Sequence, residues 1–193
     1  MVEKDLQRII DGCMDNDRKS QELLYKEFYG FAMKICLRYA DNRYEASEVL
    51  NEGFFKAFIH MDKYDRSRPF LAWLSKIMYN ASIDYYRTNL KWSQFVGLEK
   101  SEPKTNESAI EHKLDYEDLL SMIQRLPPTY RIVFNLYAVD GYSHEEIAQI
   151  TGISESTSRS NLYKARLKLQ QMLSVPQSVI ILLMNFVKDL QRV

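Results

Sequence analysis

Apolar side chains recur at intervals of three and four residues along most of this chain, the period of helices with one buried face. In the first half the pattern predicts four helices, over residues 3–14, 20–39, 44–61 and 69–88, joined by short loops. On the third, Ala46, Val49, Leu50, Gly53, Phe54, Ala57 and Phe58 form an apolar stripe, leaving Glu48, Asn51, Glu52 and Phe55 on other sides. On the fourth, Phe70, Trp73, Leu74, Ile77 and Ala81 form the core stripe, while Lys76, Asn80, Ile83 and Arg87 follow a neighbouring edge at i, i+4, i+7 and i+11. Asp84 falls near the middle of that stripe. A buried carboxylate is costly unless paired, so an internal partner such as Arg38 or Arg43 is expected.

The period fails between Trp92 and about His112, where EKSEPKTNES is polar and carries Pro103. This predicts a linker over 92–112, separating a helical domain of residues 1–91 from a second of residues 113–174. In the second, a helix over 116–125 is stopped by Leu126-Pro127-Pro128 and another spans 129–139, since proline suits helix starts and not interiors. Two short helices follow around a glycine. Ser143 with Glu146 spells the S-x-x-E capping box, which starts the first near His144, and Ile147, Ala148 and Ile150 give it an apolar side. Gly152 supplies the left-handed residue that ends it, Ser154 caps the next helix, and that helix runs to about Leu169. This is the pattern of a helix-turn-helix. Ser158, Leu162, Ala165 and Leu169 then face inward, and Ser156, Arg159, Ser160, Tyr163 and Lys164 outward.

Charge favours nucleic acid as the partner of that outward face. Residues 114–155 hold two basic side chains, Arg125 and Arg131, against seven acidic ones, whereas residues 156–170 hold four basic and no acidic ones. Short hydroxyls near a helix start with cations along it suit base edges and phosphates respectively. The alternative is a helical hairpin with an ordinary solvated face. Over the whole chain the net charge is zero, so general attraction to nucleic acid is absent and DNA affinity must come from local patches.

Other sites are less marked. Phe55 beside Glu48 and Glu52 fits a docking surface, or a solvated face with one stray aromatic. Tyr79, Tyr85 and Tyr86 either stack on unpaired bases or pack inward, and the polar loop 62–69 either makes a pocket for an extruded base or is a connector. With 46% hydrophobic residues in 193, only six glycines and five prolines, an all-α protein of two small domains is expected rather than a disordered chain. Cys13 and Cys36 are isolated, and His60, His112 and His144 lack partners at zinc-ligand spacing, so neither a disulfide framework, a metal nor a cofactor is expected. No P-loop, carboxylate cluster or nucleophile–base pair points to an enzyme. No signal peptide is evident, and the longest apolar run, residues 179–184, is far short of the ~20 needed to cross a bilayer, so an intracellular protein is expected.

The combination resembles a bacterial sigma factor of the sigma-70 family, in its extracytoplasmic-function (ECF) class, from Leu6 to Leu173. YEASEVLNEGFFKAF, from Tyr44, is similar to the family's region 2.2 pattern DAEDLVQETFLRAW. FLAWLSKIMYNASIDYYR, from Phe70, is similar to FRAWLYRIARNLAIDYLRR of regions 2.3 and 2.4, and the segment from Leu126 to Leu169 resembles region 4. The resemblance implies an initiation factor without chemistry of its own or a small-molecule substrate. Its partners would be core RNA polymerase (the β′ clamp coiled coil and the β flap), promoter DNA, and an anti-sigma factor able to hold it at the inner membrane. It assigns Glu48, Asn51, Glu52 and Phe55 to polymerase docking. It assigns Tyr64, Arg66 and Arg68 of the loop, with Lys76, Asn80, Ile83 and Arg87, to minus-ten DNA. Ser156, Arg159, Ser160, Tyr163, Lys164 and Arg166 fall to the minus-thirty-five element.

Tyr79, Ser158 and Asn161 depart from the family pattern, where a basic residue, valine and arginine respectively are common. Ser158 is expected to loosen the packing of the recognition helix. The apolar tail, residues 175–193, lies outside the resemblance and is expected to fold back or pair with a partner. A free-standing helix-turn-helix regulator is the competing expectation, and it differs in binding a specific site without polymerase.

Overall fold

The computed structural model describes residues 3–96 and 116–173, and the described residues are helical or in turns and loops. The chain divides into two compact units, Met1–Tyr86 and Arg87–Val193. In the first, α1 (Glu3–Met14) packs on α2 (Arg18–Tyr39), and α2 packs on α3 (Arg43–Ile59). A single 3-10 turn, Met61–Lys63, touches both α1 and α3 and leads through a loop to α4 (Phe70–Val96).

Caps fix the starts. Asp17 accepts from the Ser20 amide at 2.9 Å, which sets α2 two residues ahead of the predicted start, and its carboxyl is held below the ordinary range mainly by the hydrogen bond from the Ser20 hydroxyl. Asn42 does the same for α3, accepting from the Glu45 amide at 2.9 Å. The core is filled by Ile10, Leu24, Leu50, Phe54, Met61, Leu74 and Met78, all essentially inaccessible. A Cβ at Gly53 would lie 2.5 Å from the Met78 sulfur, so the glycine is what allows this close approach of α3 and α4.

Two expectations for α4 are corrected. It does not stop near Thr88 but continues to Val96, because no proline or glycine interrupts the ladder between Phe70 and Val96. Asp84 is exposed rather than central: the buried face runs through Phe70, Leu74, Met78 and Ala81, with Trp73 and Ile77 half-buried at its margin. Its carboxylate reaches Lys56 of α3 at 3.0 Å. Of the predicted linker, residues 92–96 are therefore helical. The rest of it, with His112, lies outside the described residues, as does the tail over 175–193.

The second unit is organised by its last helix. α5 (Tyr116–Gln124), α6 (Pro128–Phe134) and α7 (His144–Thr151) all pack against α8 (Glu155–Leu173). α6 opens into a wider π-helical turn over Asn135–Val139, where the Asp140 amide donates to the Asn135 carbonyl at 2.9 Å. Leu126, Val133, Leu136, Ile147, Leu162, Ala165 and Leu169 form the core, so the inward stripe read on α8 is the buried one. Arg131 is buried yet satisfied, with Nη1 donating to the Gln124 carbonyl at 2.8 Å and so closing the end of α5.

Cys13 and Cys36 are free and buried. Burial pushes their thiols up, to about 11 and about 12, so neither is a ready nucleophile. Among the described residues no group of three His, Cys, Asp or Glu is placed to hold a metal ion, and no helix is long and apolar enough to cross a membrane.

Candidate functional site

Three surfaces carry the residues singled out by sequence. The first is the outer face of α3, where Tyr44, Glu48, Asn51, Glu52, Phe55 and Ile59 follow one another at helical spacing. Its rings and aliphatic groups are unusually open to water: Tyr44 is 74% exposed, Phe55 60% and Ile59 55%. Tyr44 and Ile59 were missed in the sequence, although both lie four residues from a chosen position. The polar groups between them are held in place. Tyr44 is hydrogen-bonded to Glu48, which raises its phenol above the usual range, and Asn51 accepts from the Tyr25 hydroxyl at 2.9 Å. Glu52 lies 3.6 Å from Lys56, which in turn reaches Asp84. Covering Phe55 and Ile59 with a partner would remove the exposed parts of two large apolar groups from water, each a gain of about 1–2 kcal/mol.

The second surface is the edge of α4 with the loop before it. Lys76, Asn80 and Arg87 are exposed as expected. Ile83 is not: it is 3% exposed, an apolar side chain withdrawn from the edge that Lys76 and Asn80 occupy, as its transfer free energy favours. Tyr64 is a second correction. Its ring is buried against Phe70 and Trp73, with centroids 5.3 Å and 5.4 Å away, so it packs rather than presenting an aromatic to DNA. Its hydroxyl donates to the Arg68 carbonyl at 2.7 Å, and Asp65 accepts from both the Ser67 amide (2.9 Å) and hydroxyl (2.7 Å), which holds the Asp65 carboxyl low. The loop is thus internally braced. Arg66 pairs with Asp11 of α1, whereas Arg68, 80% exposed at its side chain, lies 3.5 Å from Asp65.

The third surface is α8, and its local construction is as the sequence predicts. The Ser143 hydroxyl accepts from the Glu146 amide at 3.2 Å while Glu146 accepts from the Ser143 amide at 2.7 Å, which lowers the Glu146 carboxyl. Gly152 takes the left-handed conformation (φ +77°), and Ser154 accepts from the Thr157 amide at 3.1 Å at the start of α8. Ser156, Arg159, Ser160, Tyr163 and Lys164 all face solvent. Arg159 is engaged by Glu155 at 2.6 Å, so contact with phosphate or base must compete with that carboxylate. Arg166 departs from expectation. It is half-buried, its guanidinium lies 5.9 Å from the centre of the Tyr137 ring, and its Nε is buried without a hydrogen-bond partner among the described residues.

Ser158 also corrects an expectation. It is fully buried but does not leave a defect, because its hydroxyl is hydrogen-bonded to Nδ1 of His144 at 2.9 Å. The His144 ring in turn stacks on Tyr137 at 4.5 Å and 20°. Burial first, then the charge of Arg159, holds this imidazole below its ordinary basicity.

Comparison with known proteins agrees with this division. Sigma-70 region 2 matches residues 24–91 and sigma-70 region 4 matches residues 116–169. The chain is 26% identical over 151 residues to the ECF RNA polymerase sigma factor SigM of Bacillus subtilis, covering 76% of this chain and 91% of SigM. It is 27% identical over 186 residues to SigW of the same organism, covering 90% and 97%. A solved structure of the sigma factor RpoE with the anti-sigma factor NepR from Bartonella quintana is similar with a TM-score of 0.49 at 23% identity, over 80% of this chain and 96% of that one. The chain belongs to the sigma-70 family of transcription initiation factors, in its ECF class.

Proposed function

We propose that the three surfaces divide the work of an initiation factor that performs no chemistry itself. Glu48, Asn51, Glu52 and Phe55, joined by Tyr44 and Ile59, form the docking face for the β′ clamp coiled coil of core RNA polymerase. Lys76, Asn80 and Arg87 lie along minus-ten DNA, and the braced loop carrying Arg66 and Arg68 receives a flipped base, whose extrusion costs a few kcal/mol that polymerase contacts help offset. Ser156, Arg159, Ser160, Tyr163 and Lys164 read the minus-thirty-five element, with the second unit as a whole docking on the β flap. The boundaries 1–91, 92–112 and 113–174 remain the functional division that fits this use. An anti-sigma factor, free or at the inner membrane, is the further partner of a cytoplasmic protein of this class.

The observation that supports this reading best is the exposure of Tyr44, Phe55 and Ile59 together on one face of α3. Photocrosslinkers placed at 55 and at 163 in reconstituted holoenzyme on promoter DNA test it. Position 55 should capture β′ and position 163 upstream DNA; capture of DNA at 55, or of polymerase alone at 163, would overturn the assignment.

A further inference from the structure

Ser158 lies on the buried stripe of α8 among Leu162, Ala165 and Leu169, and its hydroxyl has been given a partner from another helix. That partner, His144, is the first residue of α7, directly after the cap Ser143. Tyr137, on which His144 stacks, comes from the widened turn Asn135–Val139, and π-helical turns of this kind often occur where function constrains the backbone. Three elements therefore meet at one imidazole.

We propose that His144 is a positioning residue for promoter reading: its ring, held flat by Tyr137, grips Ser158 and so sets the rotation of α8 about its own axis. The proposal rests on α8 being the reader of the upstream element. Successive helical residues are about 100° apart, so fixing Ser158 inward fixes where its neighbours Arg159 and Ser160 point. A stripe of Leu162, Ala165 and Leu169 alone tolerates small rotations, since apolar packing is not directional. A hydrogen bond weakens steeply once its angle falls below about 120°, and a fully buried hydroxyl that loses its partner is penalised.

Reading is also tied to protonation of the ring: Nδ1 can then donate to the Ser158 hydroxyl, so the bond persists, but the charge beside α8 changes. Arg159, Arg166 and Glu155 of α8 surround the imidazole, with Glu145 and Glu146 on its own helix and Tyr137 from the widened turn. Burial and the two arginines outweigh Glu155 and keep the ring neutral at neutral pH. Protonation places a cation at the start of α7 beside both arginines, an arrangement the helix dipole also disfavours.

The test uses reconstituted holoenzyme and two DNA fragments: one carrying the upstream element that wild-type holoenzyme enriches from a random library, one with that element scrambled. His144→Phe, which keeps a ring against Tyr137, and Ser158→Ala should each lower the intact-to-scrambled binding ratio about tenfold. The double variant should be no worse than either single one, because both break the same contact. In the wild type the ratio should hold down to about pH 6.5 and fall below it, as the depressed imidazole takes up a proton, and in His144→Phe it should stay flat. An unchanged ratio in His144→Phe, whether or not binding to both fragments drops, overturns the inference. A wild-type holoenzyme that enriches no upstream element overturns the reading of α8 itself.

Discussion

The outer faces of α3 and α8 are both solvent-exposed helix surfaces, yet their chemistry is nearly opposite. α3 offers Tyr44, Phe55 and Ile59 with carboxylates between them, whereas α8 offers hydroxyls and cations around one exposed ring, Tyr163. Apolar groups left in water gain most by meeting a protein with a matching apolar patch, and the carboxylates then select a basic one. Cations and hydroxyls gain little from such a partner and much from phosphates and base edges. The difference teaches a dependence as well as a division. With zero net charge overall and Arg159 already engaged by Glu155, α8 has little attraction for DNA of its own, so under the proposed assignment promoter reading would draw on affinity supplied through α3.

That contrast can be broken from either side. The largest effect is expected at α3: Phe55→Asp should weaken core polymerase binding by about 3 kcal/mol, more than a hundredfold, in a competition titration. Thermal unfolding of the free protein should not move, since the side chain is mostly in water. Unchanged polymerase affinity would remove α3 from the docking role. Arg159→Ala should leave polymerase affinity intact and cost about 2 kcal/mol in discrimination between matched and scrambled upstream elements, measured by holoenzyme binding. Equal losses on both sequences would reduce Arg159 to a phosphate contact.

Smaller effects sharpen the comparison, because α8 is tied to another helix through a buried polar bond, Ser158 to His144, whereas the polar bonds on the face of α3 are exposed. Ser143→Ala removes one half of the capping box and should lower unfolding free energy by about 1 kcal/mol in chemical denaturation. Acid should act in the same place. Both His144 and Glu146 have folded-state affinities for protons below the ordinary ones, so each contributes stability above its unfolded pKa and loses it as pH falls through the folded value. The His144 part should fade first, below about pH 6.5, and the Glu146 part below about 4.5. Denaturation midpoints of the wild type and His144→Phe followed from pH 8 to pH 5, on the order of that range, should converge at the acid end; parallel curves would contradict the assignment.

Much of this was legible in the chain because the determinants are local. The capping box at Ser143 and Glu146, the left-handed Gly152 and the inward stripe of α8 each depend on residues within one or two turns, and each is found as read. The readings that failed depend on tertiary partners. Asp84 looked buried because the stripe of α4 was centred on Trp73 and Ile77, whereas packing against Gly53 centres it on Met78. Tyr64 and Ile83 looked available for DNA because spacing cannot reveal which aromatic or aliphatic group a neighbour will cover. Arg166 is drawn inward by Tyr137, and Ser158 is rescued by a histidine fourteen residues earlier, a pairing with no periodic signature. At the candidate site, the positions chosen on α3 are exposed, as are those on α8 apart from Arg166; Tyr44 and Ile59 were missed, and the misjudged positions were those another element buries.

Reconstitution with core RNA polymerase, followed by mapping of transcription starts on genomic DNA, tests the central claim most directly. The account predicts a limited set of new starts sharing an upstream and a minus-ten element, lost with Phe55→Asp and redistributed with Arg159→Ala. Starts indistinguishable from those of core polymerase alone would contradict it.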